Sequence, residues 1–129
     1  MTEGPQLVIR GIKGFLEGEE RELAVGEAIV VGRSRSADLS TRKSKRFADR
    51  GDAAKIIQSH SFLSVSRKHV RIHFLHPGLV EVKDLSHNGT FVDGHRADCV
   101  GLTDLKERSH TVQLGSVERL VLELRGVER

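Results

Sequence analysis

Three histidines, His69, His73 and His76, lie close enough in the chain to suggest a metal site. On a helix His69 and His73 would share a face, but the alternation in HVRIHF predicts a strand, where four residues span ~13 Å. A single zinc ion, with nitrogen ligands at ~2 Å, is not shared across that distance. No HExxH or CxxC stretch offers another site. Cys99, in ADCVG, reads as a small core residue rather than a nucleophile. There is no GxSxG elbow and no GK[ST] phosphate loop, so enzymatic function has little support and neither cofactor nor metal is expected. GIKG, from Gly11 to Gly14, matches a backbone-clamping GxxG, but a strand precedes it and the acidic EGEERE run follows, so it reads as a hairpin connection. Asn88-Gly89, in SHNGTF, is by itself a hairpin-turn signal.

Charge narrows the partners. The 129 residues carry a formal net charge of +3. Residues 1 to 32 hold three Lys/Arg against six Asp/Glu, and residues 33 to 50 hold seven against two. The positive charge is thus concentrated in GRSRSADLSTRKSKRFADR, which favours an anionic partner: a phosphate group, nucleic acid or acidic peptide. MTEGPQLVIR lacks the basic start and apolar run of a signal peptide, and the longest uninterrupted apolar run, Ala28 to Val31, is far short of the ~20 residues a membrane helix needs. A lone cysteine fits a reducing compartment. A cytoplasmic, monomeric protein that does not engage membranes is expected.

The elements that must position these residues are strands. Val70, Ile72 and Phe74 share one face against Arg71 and His73; VEVKD and LVLEL repeat the period of two. Further strands are predicted at Leu7 to Ile9, Glu22 to Val25, Ala28 to Val31, Thr90 to Val92 and Thr111 to Leu114. Many short strands predict an all-β, antiparallel sandwich. The length fits a single domain, residues 1-129. From about residue 40 to 61 the alternation stops, and the segment reads as a long basic insertion; within it Asp52 is placed to cap a short helix through AAKIIQ, with Ile56 and Ile57 turned inward.

Gly32-Arg33 ends an apolar strand, Ser66 to His69 form an SxxH before another, and DLSHNGTFVDG follows a third. In this order at strand ends, GR, SxxH and NG resemble the signature of the forkhead-associated (FHA) domain, whose DLSTNGTFVNG is similar to DLSHNGTFVDG. The resemblance runs from QLVIRG to LVLEL. It implies a sandwich of about eleven strands with loops at one end that bind phosphothreonine. Such a ligand brings a charge of about −1.5 to −2 and three acceptor oxygens, which call for a planar cation and short donors.

On that resemblance Arg33 supplies a guanidinium fork, Ser66 a hydroxyl and Arg67 a second cation to the phosphate. Asn88, with a donor and an acceptor, grips the ligand main chain. His69 braces the loops, Gly32 and Gly89 permit close approach of the backbone, and Thr90 completes the structural motif. His87 stands where the family commonly has Thr or Ser, so it is expected to touch the phosphate and to reshape the pocket that separates threonine from serine. Arg33 and Ser66 are 33 positions apart, roughly twice the familiar spacing.

The function implied is a non-catalytic phosphothreonine-peptide reader, an adaptor whose partners are substrates of a Ser/Thr kinase or the kinase itself. Two alternatives stand beside it: an FHA-like scaffold that binds partners without phosphate, and a nucleic-acid binder using residues 42 to 50.

Overall fold

The computed structural model describes residues 4–126. Two sheets face each other. One holds β1 (Gln6–Lys13), β2 (Glu20–Ala24), β7 (Thr90–Val92), β8 (His95–Ala97), β10 (His110–Leu114) and β11 (Glu118–Arg125), in the order β2-β1-β11-β10-β7-β8. The other holds β3 (Ala28–Gly32), β4 (Leu39–Ser40), β5 (Val70–His76), β6 (Leu79–Asp84) and β9 (Cys99–Leu102), in the order β4-β3-β5-β6-β9. Strand pairing is antiparallel except at one edge, where the short β4 runs parallel to β3 with Gly32 opposite Ser40. The pairing of β1 with β2 makes GIKG part of a hairpin connection.

The alternation read in the sequence is the burial pattern. Val70, Ile72, Phe74, Val80 and Val82 from one sheet meet Leu7, Ile9, Val112, Leu114, Leu120 and Leu122 from the other. Each such side chain is fully buried and contributes about 1.5–3 kcal/mol relative to exposure.

Two sequence expectations fail here. Cys99 is exposed rather than a core residue. In the β6–β9 register it stands opposite exposed Lys83, while Val100 stands opposite buried Val82, so the pleat turns the cysteine outward. Asn88-Gly89 is not a hairpin turn, because β6 and β7 belong to different sheets. The two-residue hairpin loop nearby is Asp93-Gly94, where both residues have positive φ, +50° and +84°, between the paired Val92 and His95.

Residues 41 to 63 carry three short helices: α1 (Lys45–Arg50), α2 (Ala53–Ile56) and α3 (His60–Leu63). Asp52 does precede α2, but its side chain makes no capping hydrogen bond; Ile56 is buried and Ile57 packs half-buried against the same cluster. The helices that are capped begin elsewhere. Ser44 Oγ accepts from Phe47 N and Ser59 Oγ from Phe62 N, each cap lying three residues before a buried phenylalanine. Phe47, Ile56 and Phe62 form a second, smaller core with Phe15 from the β1–β2 turn. Its rings are 5.5–5.9 Å apart. Arg46 pairs with Glu17 at 2.5 Å and the Arg50 guanidinium lies 5.8 Å over the Phe15 ring. Buried Glu118 holds the turn that presents Phe15, its carboxylate accepting from Phe15 N at 2.8 Å and Leu16 N at 3.0 Å. Burial pushes this carboxyl up, and the two amide donors offset part of that rise.

At the end of the sandwich that carries the Asp93-Gly94 turn, buried His110 is flanked by two carboxylates, Nδ1 to Asp93 and Nε2 to Asp104 at 2.5 Å. Burial pulls His110 down, but the hydrogen bonds and charges of Asp93 and Asp104 outweigh it and raise its pKa. A His pKa raised on folding gives stability that is complete below the unfolded value near 6.5 and lost as pH rises through the folded value. The midpoint of thermal unfolding is therefore expected to fall above about pH 6.5, and His110→Gln to flatten that limb. A wild-type limb that matches His110→Gln would count against this clamp.

Candidate functional site

The GR, SxxH and NG stretches meet at one end of the sandwich. The strand β3 ends at Gly32, and the chain leaving it is laced to the SxxH segment: Arg33 N donates to Ser66 O and Ser34 N to Arg67 O, both at 3.1 Å, and His69 N donates to Val31 O at 2.9 Å. This closeness explains the glycine. A Cβ on Gly32 would lie 2.1 Å from the Arg67 carbonyl oxygen, a backbone atom that cannot swing aside. Gly32→Ala is expected to cost about 1–3 kcal/mol in denaturant unfolding, by overpacking; a loss below about 0.5 kcal/mol would mean the two segments part easily.

Ser66 is held at both ends of its residue. Its amide donates to His69 Nδ1 at 3.0 Å, and its Oγ accepts from His87 N at 3.1 Å. The hydroxyl hydrogen is left uncommitted, free to donate to a ligand. His69 is fully buried. Because Nδ1 accepts an amide hydrogen, the ring proton sits on Nε2, which donates to Gly89 O at 2.8 Å. Burial holds His69 below the usual imidazole range, more than the Gly89 hydrogen bond and the Asp84 charge raise it. The ring is therefore a neutral brace between two loops.

The NG loop is shaped by residues that sequence reading missed. Asp84 Oδ1 accepts from Ser86 N at 3.0 Å, Ser86 Oγ at 2.6 Å and Thr90 Oγ1 at 2.8 Å. Burial pushes the Asp84 carboxyl up, but these donors outweigh it and hold it below the usual range. Ser86 Oγ in turn accepts from Gly89 N at 2.8 Å, and Gly89 takes φ +98°, which a side chain would strain. An Asp at a strand end with Ser two residues on is the signature of an Asx-turn, and that signal could have been read.

Asn88 is exposed, and its amide donates to Ser64 O at 2.9 Å, leaving its second N–H and its oxygen for a ligand. Ser64 was missed too, and nothing local in the sequence marks it. It is the junction of three segments: its Oγ donates to Ser61 O at 2.7 Å and accepts from Ser116 N at 3.0 Å, while its carbonyl holds Asn88. Arg67 and His87 are exposed at the same end; Arg33 is half-buried, with its Nε covered and unpartnered. The structure thus brings the segments carrying Arg33, Ser66, Arg67, His87 and Asn88 together at one end of the sandwich, beside Gly32, His69, Gly89 and Thr90. A cationic fork, a free hydroxyl and an amide with donor and acceptor can bind a tetrahedral anion attached to an extended main chain.

Among the described residues no group of three or more His, Cys, Asp and Glu is placed to hold a metal ion, and no helix is long and apolar enough to cross a membrane.

Comparison with known proteins bears on the fold. Among solved structures, the FHA domain of CT664 protein from Chlamydia trachomatis is 24% identical, with TM-score 0.61 over 90% of this chain and 95% of that one. The FHA domain of an Arabidopsis thaliana hypothetical protein is 24% identical, with TM-score 0.67 over 98% of this chain and 91% of that one. Mycobacterium tuberculosis EmbR, solved in complex with a low affinity phosphopeptide, is 19% identical with TM-score 0.60; the match takes in 96% of this chain and 26% of that one. No curated protein matches the chain. The FHA domain family model matches residues 29–115, from the second residue of β3 to the first residue after β10 and across all three motifs, and the chain therefore belongs to the FHA domain family.

Proposed function

We propose that this chain is a non-catalytic module that binds phosphothreonine peptides and so joins partner proteins when a Ser/Thr kinase has acted. The observation that carries the reading is the state of Ser66. Its Oγ is used only as an acceptor, by His87 N, and its carbonyl is bonded to Arg33 N at 3.1 Å. The free hydroxyl and the guanidinium fork therefore rise from directly joined main chain. Mycobacterium tuberculosis EmbR, a structural neighbour solved in complex with a low affinity phosphopeptide, supports the ligand class.

In this reading residues 1–129 act as one recognition unit. Arg33, Ser66 and Arg67 take the phosphate, His87 adds a ring beside it, and Asn88 holds the ligand main chain. Partners are phosphorylated substrates of a kinase, or the kinase itself. A row of free cations for nucleic acid is less well supported, since Arg46 and Arg50 are engaged with Glu17 and Phe15.

The test is a titration of matched phosphothreonine, phosphoserine and unmodified peptides drawn from an oriented library. Phosphorylation is expected to tighten binding at least about tenfold, the equivalent of one charge-assisted hydrogen bond. Equal affinity for the phosphothreonine and unmodified forms would sink the proposal. His87→Thr is expected to change the ratio of phosphothreonine to phosphoserine affinity; an unchanged ratio would place His87 outside the pocket that meets the threonine methyl.

A further inference from the structure

Three buried side-chain polar atoms among the described residues have no hydrogen-bond partner: Arg33 Nε, Thr41 Oγ1 and Arg42 Nε. Native proteins pair nearly all such groups, so an unpaired cluster needs a reason. These three are not scattered. The strands β3 and β4 run parallel with Gly32 beside Ser40, and Thr41 N donates to Gly32 O at 3.0 Å. Arg33 and Thr41-Arg42 therefore leave the sheet side by side.

Arg33 has a use in the phosphate site. Arg42 has none there, yet it is just as unusual. It is half-buried, its amide is fixed by Ser40 Oγ at 3.2 Å, and among the described residues no carboxylate pairs with it. Two other cations of the segment differ: Arg46 is spent on Glu17 and Arg50 on the Phe15 ring. Thr41, 1% exposed, adds a hydroxyl with no partner to the same ledge. A guanidinium stays charged at all working pH values, and covering its Nε strips hydration from a head that no protein group compensates. An anion at its terminal nitrogens would supply what is missing.

We propose that Arg42, on the ledge it forms with Thr41 beside Arg33, is a second anion site that takes a further negative group on the same peptide. The group is a phosphate or a carboxylate side chain. An extended peptide advances ~3.3 Å per residue, so the second group lies within a few positions of the phosphothreonine. The inference rests on the phosphopeptide reading above and sharpens it to peptides with a second acid.

The experiment uses fluorescence anisotropy with the full chain. The peptides are a phosphothreonine peptide with neutral flanks, its unmodified form, and a set in which one phosphoserine, aspartate or glutamate is moved through the flanking positions. At one or two positions the second acid is expected to tighten binding about tenfold, and Arg42→Met to remove that gain while holding the neutral-flank phosphopeptide within about twofold. Lys45→Met, which deletes the same charge from α1, should keep the gain. A gain from phosphoserine alone would assign the site to a second phosphorylation; an equal gain from aspartate or glutamate would show that a carboxylate suffices.

Four results would overturn the inference while leaving the phosphopeptide reading intact: no gain at any position, a gain that survives Arg42→Met, an equal loss in Lys45→Met, or an equal weakening of the neutral-flank peptide by Arg42→Met. Equal affinity for the neutral-flank phosphopeptide and its unmodified form would overturn the phosphopeptide reading, and this inference with it.

Discussion

Arg33→Ala is expected to weaken binding of a phosphothreonine peptide by about a hundredfold or more, because a two-pronged, charge-assisted contact is lost whole. Stability is expected to stay within about 0.5 kcal/mol of wild type. The reason lies in the free protein. Arg33 Nε is covered and unpartnered, so truncating the side chain breaks no hydrogen bond and removes a polar atom that folding has to desolvate. The main-chain link to Ser66 O survives, since it uses the Arg33 amide. Arg33→Lys, which retains charge but not the planar fork, should recover only part of the affinity. Isothermal titration beside a thermal melt separates these effects. Loss of binding together with a large loss of stability would mean that Arg33 is a structural residue.

His69→Ala is expected to do the reverse, costing about 3–5 kcal/mol of stability and disturbing binding as a consequence. It leaves a cavity at a fully buried site and strands Ser66 N and Gly89 O, which the ring now serves at 3.0 and 2.8 Å. Denaturant unfolding measures the loss, and a change under about 1 kcal/mol would mean that the loops hold each other without the ring. The same residue shapes the acid limb of stability. Its pKa is lowered on folding, so the unfolded chain takes up the proton first and stability falls as pH drops below about 6.5. His110, whose pKa is raised, weakens the fold on the other side of the same point. The two histidines thus act on opposite limbs, and replacing either should broaden one limb only.

Period-two alternation made the strands legible, because a half-buried sheet writes its two faces into consecutive residues, as in Val70, Ile72 and Phe74. The site was legible as a set of motifs, because Arg33, Ser66 and Asn88 each stand at a strand end where loops gather. What escaped was tertiary. Asn88-Gly89 carries a turn signal because Gly89 needs positive φ, but that requirement is the same whether the chain pairs with itself or crosses to the opposite sheet. Cys99 has apolar company in sequence and faces outward because of its register against Lys83, which no local pattern encodes. Ser44 and Ser59 were ordinary polar residues until the phenylalanines three positions on are seen to be buried. The parallel pairing of β4 with β3 sets Thr41 and Arg42 beside the GR motif, although Thr41 lies eight positions after Arg33 in the chain.

The carbonyl of Ser64 that receives the Asn88 amide directly follows α3, whose Phe62 is packed against Phe15 and Phe47. On the proposed reading, a peptide gripped by Asn88 would rest on three rings it never meets. Because that amide is already oriented in the free protein, its rotational freedom is given up during folding rather than at encounter. Loosening the rings would restore that freedom and shorten the lifetime of the complex while every atom facing the peptide kept its identity. Evolution, or a designer, can thus tune residence time from the far side of α3 without touching the chemistry of recognition.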